Sequence, residues 1–235
     1  MNGANIIEKR FCPDGEPYYL NTETKERYGE IVGGLAWPEI EDSFLLVAAV
    51  DFVEDPGGEG RHIRVLTAGR EGNIYVLLRQ AIELQKQFSP FSETIRFYGD
   101  TTASALMEFL SDFNWDRRHQ GLDPFYLTEA PEIKTPQKLE FYARLIKAYT
   151  RSGKGTLHFC DTVLPRYLLN HLEGKGKDIL AHPPLAALGY AMAVLSTWRP
   201  RRRDLSTDGS DRNKRHVYHG LGLSQAVTSV DSSGP

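Results

Sequence analysis

An unbroken run of seven apolar residues, Phe44 to Val50, is followed directly by Asp51. A run of this length between turn signals predicts a strand that is covered on both faces. A carboxylate at the end of such a strand is costly to bury unless a cation meets it. The run therefore predicts a layered domain with a positively charged partner beside Asp51.

The segments after this run predict a mixed sheet flanked by helices. Two further strands are expected across short turns, and three strands joined in this way form an antiparallel meander. Fourth and fifth strands then alternate with helices, which is typical of an α/β fold. The expected strands are 44–51, 62–68, 74–78, 94–100, 124–130 and 157–160, and the expected helices are 81–88, 103–113, 135–149, 164–172 and 185–197.

The two ends of the chain carry weaker core signals. Residues 1–43 predict an N-terminal arm or hairpin, with an edge strand at 31–38. Between Arg199 and Arg215, seven Arg and Lys residues stand against three Asp residues, a local charge of +4 in a chain of net charge −3. Residues 199–235 therefore predict a basic, mostly disordered extension. It would either bind phosphates through Arg201, Arg202 and Arg203, by charge alone, or serve only to keep the chain in solution.

Composition favours a protein of the cytoplasm. No stretch approaches the roughly 20 apolar residues of a membrane span, so no membrane partner is expected. The N-terminus carries no signal-peptide pattern. Cys12 and Cys160 are too few for a disulfide framework or a thiolate zinc site, which favours a reducing compartment.

Two acids follow predicted strands, Asp51 after the first and Asp100 after the fourth. If those strands are parallel neighbours, both carboxylates emerge at one edge of the sheet and need a cation between them. Oxygen ligands favour Mg²⁺ or Mn²⁺, and two such ions can activate a water for phosphodiester hydrolysis. The alternatives are a solvent-facing strand end for Asp51 and a helix N-cap for Asp100.

The segments VAAVDF, IRFYGDTTASALMEFL and LAALGYAMAVL, in this order and with two acids so placed, resemble the ribonuclease H-like nuclease domain of phage and prophage terminase large subunits. The resemblance covers about residues 44–198. It implies a ribonuclease H-like mixed sheet and a two-metal endonuclease that cuts viral DNA during genome packaging, in the cytoplasm of a bacterial host cell. It also implies that Asp51 and Asp100 are the metal-binding, catalytic acids.

The third acidic position of that family is where this chain departs. An Asp-Asp pair usually introduces the last helix, and His182, Pro183 and Pro184 stand there instead. His182 or Asp178 would then be the remaining metal ligand, and a solvated loop residue is the alternative for each. Glu129 is a reserve ligand, and Glu54 and Asp55 are either further ligands near the metals or, as the preferred interpretation, acids of a turn.

Two classes of function follow from these patterns. The first is a metal-dependent endonuclease of terminase type, with another ribonuclease H-like nuclease, such as a junction resolvase, as a variant. The second is a catalytically degenerate module that binds DNA or a packaging partner. The chain lacks a Walker A sequence, so it is expected to be a stand-alone nuclease-like domain, a fragment or a degenerate relative. The expected partners are double-stranded DNA and a separate packaging ATPase, a portal or a small terminase subunit.

Overall fold

The computed structural model describes residues 6–37, 42–52, 62–90, 93–131, 144–145, 157–159 and 182–197. These residues form eight strands and three long helices. The strands are β1 (Ile7–Phe11), β2 (Pro17–Asn21), β3 (Arg27–Ala36), β4 (Ser43–Asp51), β5 (Ile63–Glu71), β6 (Phe97–Gly99), β7 (Leu127–Glu129) and β8 (Leu157–Phe159). The helices are α1 (Ile74–Phe88), α2 (Ser104–His119) and α3 (Pro183–Leu195).

All eight strands belong to one mixed sheet, and β3 lies at its centre. β1 to β5 pair in order along the chain, each antiparallel to the next, and β8 joins β5 in parallel. The first residues of β3 pair with β2, whereas Gly33 and Gly34 pair with β6 in parallel, and β6 pairs with β7 in parallel. The chain is therefore an α/β structure whose sheet combines an antiparallel meander with parallel strands.

Helices cover both faces of this sheet. On one face, α3 packs against β3, β4 and β6, and nearly all of its residues are buried. On the other face, α1 and α2 bury a second apolar cluster with Leu35, Leu45 and Val47. Alternate residues of β3 and β4 supply the two clusters, so both strands are covered on both sides, as the continuous apolar runs predict.

The centre of the sheet differs from the prediction in two respects. The sequence predicts an edge strand at 31–38, but residues 31–36 lie in the central strand β3. The domain boundary expected at 43/44 lies between two strands of one sheet, because β3 pairs with β4 along nearly its whole length. The N-terminal segment thus supplies the middle of the sheet as well as the β1–β2 and β2–β3 hairpins.

The predicted third strand of the meander, 74–78, is wrong. These residues form the first turns of α1, and the side chain of Asn73 caps the helix by accepting hydrogen bonds from the backbone N–H groups of Tyr75 and Val76. A capped helix start explains the difference, since it satisfies N–H groups that would otherwise favour a strand partner. The third strand of the meander is β5.

Other predicted elements are confirmed. The strands before Asp100, around Leu127 and at Leu157, and the helix α3, lie within a few residues of where the sequence predicts them, whereas α2 begins as predicted but continues beyond 113 to His119. Most of the helix predicted at 135–149, all of that at 164–172 and the tail 199–235 lie outside the described residues. None of the described helices has the length and apolar character needed to cross a membrane.

Candidate functional site

The structure places Asp51 and Asp100 at opposite ends of the sheet. Asp51 ends β4 and pairs with Tyr28 near the start of β3. Asp100 follows β6, whose Tyr98 pairs with Gly34 near the other end of β3. Strands β4 and β6 run in opposite directions on the two sides of β3, so about 20 Å of strand separates the two acids. The expectation that their carboxylates share one metal site is wrong.

A cationic side chain does meet Asp51, and it belongs to Arg64 of β5. The Arg64 Nε donates to Oδ1 of Asp51 at 2.7 Å and to Oδ2 at 3.0 Å. Its Nη1 lies 2.9 Å from Oε1 of Glu26, so one guanidinium joins two carboxylates. The hydrogen bond to Asp51 raises the pKa of Arg64. Asp51 is therefore held as one member of an ion-pair network.

Tyr28 extends this network on β3. Its hydroxyl donates to Oε2 of Glu26 at 2.6 Å, while its ring is fully buried. Burial, followed by the bond to Glu26, raises the pKa of Tyr28, so the phenol stays neutral and acts as a donor. Glu26 is thus held from two sides, by Tyr28 and by Arg64.

Two histidines lie beside the network. The Nδ1 of His62, just before β5, is 2.9 Å from the Nε2 of His158 on β8. Burial lowers the pKa of His158, and the charges of Arg64 and His62 lower it further. Residues 62 and 158 are far apart in the sequence, and the parallel pairing of β5 with β8 brings them together.

Strand alternation explains why these side chains share one face of the sheet. Residues paired directly across a ladder point to the same face, as do residues two apart on a strand. Tyr28 pairs with Asp51, Asp51 lies opposite His62, and Arg64 pairs with His158. We call this set the polar row; it consists of Glu26, Tyr28, Asp51, His62, Arg64 and His158.

The opposite end of the sheet holds Asp100. Its Oδ1 accepts from the backbone N–H of Thr102 at 2.8 Å and from the Thr102 hydroxyl at 2.6 Å, which closes a turn ahead of α2. The N-cap position itself is Ala103, so neither Asp100 nor a threonine caps the helix. Glu129 ends β7 and pairs with Gly99, so it lies at the same end of the sheet as Asp100.

At the end of the sheet that holds Asp100, β3 lies beside β6. Strand β3 ends in Ala36. The next residue, Trp37, packs edge-on against Phe109, with 5.2 Å between the ring centroids. Neither Ala36 nor Trp37 has a side chain that can ligate a metal ion, so the described end of β3 supplies no acid beside Asp100.

His182 begins α3 through its backbone. Its carbonyl accepts from the N–H groups of Leu185 and Ala186, and its side chain makes no capping bond. Asp178 and Arg201 to Arg203 lie outside the described residues.

The described residues do not fit the expected two-metal centre. Asp51 is too far from Asp100, and the part of the chain that the structure describes contains no group of three His, Cys, Asp or Glu side chains arranged to hold a metal ion. What the structure brings together instead is the polar row, of which sequence reasoning found only Asp51. No local motif marks Arg64, His62 or His158, because strand pairing alone makes them neighbours.

No protein-family model matches the chain, and a search of curated proteins finds no significant match.

Proposed function

We propose that the chain is a ribonuclease H-like domain of terminase type that binds DNA during genome packaging and has lost the two-metal centre. Its fold supports this assignment, because an antiparallel three-strand meander, β3–β4–β5, is extended beside β3 by the parallel strands β6 and β7. Helices cover both faces of the sheet, as the resemblance implies.

One observation favours binding over cleavage. Asp51, the acid expected to open the metal centre, lies at the far end of the sheet from Asp100 and forms an ion pair with Arg64. A pair of metal ions needs ligands within a few ångströms of both ions, since the ions lie only about 3.5–4 Å apart. These two acids cannot supply such a site in this fold.

The DNA would be held by charge. The basic segment between Arg199 and Arg215 has a net charge of +4, and Arg201, Arg202 and Arg203 are consecutive within it. Cationic side chains that neutralise phosphates release counterions, so binding of this kind weakens steeply with salt. The other partner in this proposal is a packaging ATPase, portal or small terminase subunit.

The test is a DNA-binding titration of the full chain across a salt series, run together with a plasmid-cleavage assay containing Mn²⁺. We expect duplex binding without nicking. The triple variant Arg201→Gln, Arg202→Gln and Arg203→Gln should bind less tightly and lower the slope of log K against log salt by about 2.7, since each phosphate contact contributes about 0.9. No binding at low salt would contradict the proposal.

A matched control removes the same charge from another surface. Arg79, Lys86 and Arg118 are exposed on α1 and α2, so their triple glutamine variant loses three positive charges without touching the tail. It should keep the wild-type salt slope. Equal weakening by both triple variants would instead indicate a general effect of net charge.

Endonuclease activity remains the second candidate, because Asp100 and Glu129 lie at one end of neighbouring parallel strands. In that case Mn²⁺-dependent nicking would appear in the same assay. It would be lost in Asp100→Asn and retained in Asp51→Asn, since only Asp100 lies at that end of the sheet.

A further inference from the structure

The two histidines of the polar row face each other along a straight line. Their Nδ1 and Nε2 atoms are 2.9 Å apart, and their ring centroids are 5.2 Å apart. The distance between the centroids equals the nitrogen–nitrogen distance plus the distance from each nitrogen to the centroid of its own ring. Both nitrogens therefore lie on the line between the centroids. The rings are inclined by only 28°, and they meet edge to edge through a nitrogen–nitrogen hydrogen bond.

This geometry admits a proton between the rings and excludes a metal ion from the same place. A zinc-like ion on the line would hold the nitrogens about 4 Å apart, twice a metal–nitrogen bond of about 2 Å. At 2.9 Å one ring donates an N–H and the other accepts it with a bare nitrogen. The acceptor ring must therefore carry its own proton on the outer nitrogen.

The number of protons on the pair decides whether the bond exists. A proton added to the outer nitrogen of the donor ring leaves the bond intact and strengthens it by charge. A second proton must fill the acceptor nitrogen, so two N–H groups would then face each other. The hydrogen bond is lost at that step, and two positive charges repel across the gap.

The groups around the pair do not remove this repulsion. Among the described residues, the carboxylates of Asp51 on β4 and Glu26 before β3 favour a charged His158, and Arg64 on β5 opposes it. The guanidinium is already bound to both carboxylates, and the phenol of Tyr28 on β3 is neutral. The carboxylates therefore face a cation already, and burial disfavours the charged imidazole further.

We propose that His62 and His158 form a pH-sensitive clasp that holds β8 against β5 at neutral pH and releases it when both rings are protonated. His158 is on β8 itself, and His62 directly precedes β5. Their hydrogen bond therefore joins the two strands in addition to the backbone pairing of the short β5–β8 ladder. Free histidine titrates near 6.5, and the lowered pKa of His158 means that the released chain takes up protons more readily than the closed one. The closed clasp is consequently stable above about pH 6.5 and loses stability as the pH falls below it.

The test is amide hydrogen exchange in the full chain at pH 7.5 and pH 5.0, expressed as protection relative to intrinsic rates. We expect the amides of Leu157 to Phe159 to lose at least about tenfold in protection at the lower pH, because protonation of both rings favours the released strand. Amides of β4 in the same sample should keep their protection, which separates release of β8 from global acid unfolding.

His158→Gln removes the second titration while keeping a polar side chain on β8, so protection of β8 should become nearly independent of pH. The control is His119→Gln, at an exposed histidine near the end of α2, which should behave as the wild type. The proposal would be overturned if the amide protection of β8 in the wild type were the same at both pH values, or if His158→Gln lost as much protection as the wild type. If His158→Gln does not fold, nitrogen-15 titration of the wild-type imidazoles decides: two coupled steps support the clasp, and independent steps contradict it.

Discussion

Asp51 lies at the end of a strand whose other residues are almost fully buried. Its side chain is only 16% exposed, and a carboxylate so placed needs a partner to replace lost water. Arg64 provides two hydrogen bonds and the opposite charge from the neighbouring strand. Because Arg64 also binds Glu26, a change at Asp51 leaves the guanidinium with one carboxylate rather than none.

Asp51→Asn should therefore lower the free energy of unfolding by about 1–2 kcal/mol, which is the range for a hydrogen bond to a charged group, reduced for the partial exposure of Arg64. Urea denaturation at neutral pH measures this loss. Asp112→Asn, on an exposed turn of α2, removes the same charge without a buried partner and should change stability by less than about 0.5 kcal/mol. Equal effects of the two substitutions would show that the pair contributes nothing specific.

At the scale of elements, the contact between β3 and α3 defines the core. Gly34 faces the helix so closely that a β-carbon there would lie 2.0 Å from the carbonyl oxygen of Ala187. On the other face of the strand, a β-carbon at Gly33 would lie 2.4 Å from the ring of Phe97. The central strand thus has no room for a side chain at either position, and its two glycines allow both layers to approach.

Gly34→Ala should destabilise the protein by about 3 kcal/mol, the upper end of the range for overpacking, because the backbone of a buried helix cannot move aside as a side chain can. The denaturation midpoint measures the loss. Gly69→Ala is the matched control, since its β-carbon would lie 3.0 Å from the end of the flexible Gln80 side chain and in ordinary contact, at 3.7 Å, with Leu45. A Gly34→Ala variant as stable as Gly69→Ala would mean that α3 does not pack against β3 as described.

Individual elements were more predictable than their arrangement. The apolar composition of 185–197 predicts a buried helix, and the apolar run before Asp51 predicts a buried strand; both are found. In contrast, the residues at 31–36 and 74–78 are short apolar segments. Their secondary structure, or their position in the sheet, depends on the residues that flank them or pair with them. A cap at Asn73 turns the second into a helix, and pairing with β6 puts the first at the centre of the sheet.

The polar row illustrates the same limit for a site. The sequence indicates that Asp51 requires a cation, and that requirement is met. The identity of the cation follows from the register of β4 against β5, in which a bulge between Val47 and Ala48 shifts the pairing. A metal ion and an arginine satisfy the same electrostatic need, so the residues alone do not distinguish them.

For the whole molecule, strand direction determines which side chains can act together. β3 and β6 run the same way and β4 runs against them, so the sheet has one end with the polar row and another with Asp100 and Glu129. A ligand bound at one end gains no direct contact from the other, since roughly 20 Å of strand lies between them. Any response to divalent ions should therefore be governed by one end alone.

This separation predicts how divalent ions affect thermal unfolding. A ligand that binds only the folded state raises the Tm by mass action, and a substitution matters only if it alters a ligand contact. Asp51→Asn should show the same change in Tm on addition of millimolar Mn²⁺ as the wild type, despite its lower starting Tm. The double variant Asp100→Asn and Glu129→Gln should lose any such change, because both acids lie at one end of the sheet. A Mn²⁺-dependent rise in the wild type that Asp51→Asn and the double variant each abolish would require the two ends to meet, and would contradict the strand order on which the proposed loss of the metal centre depends.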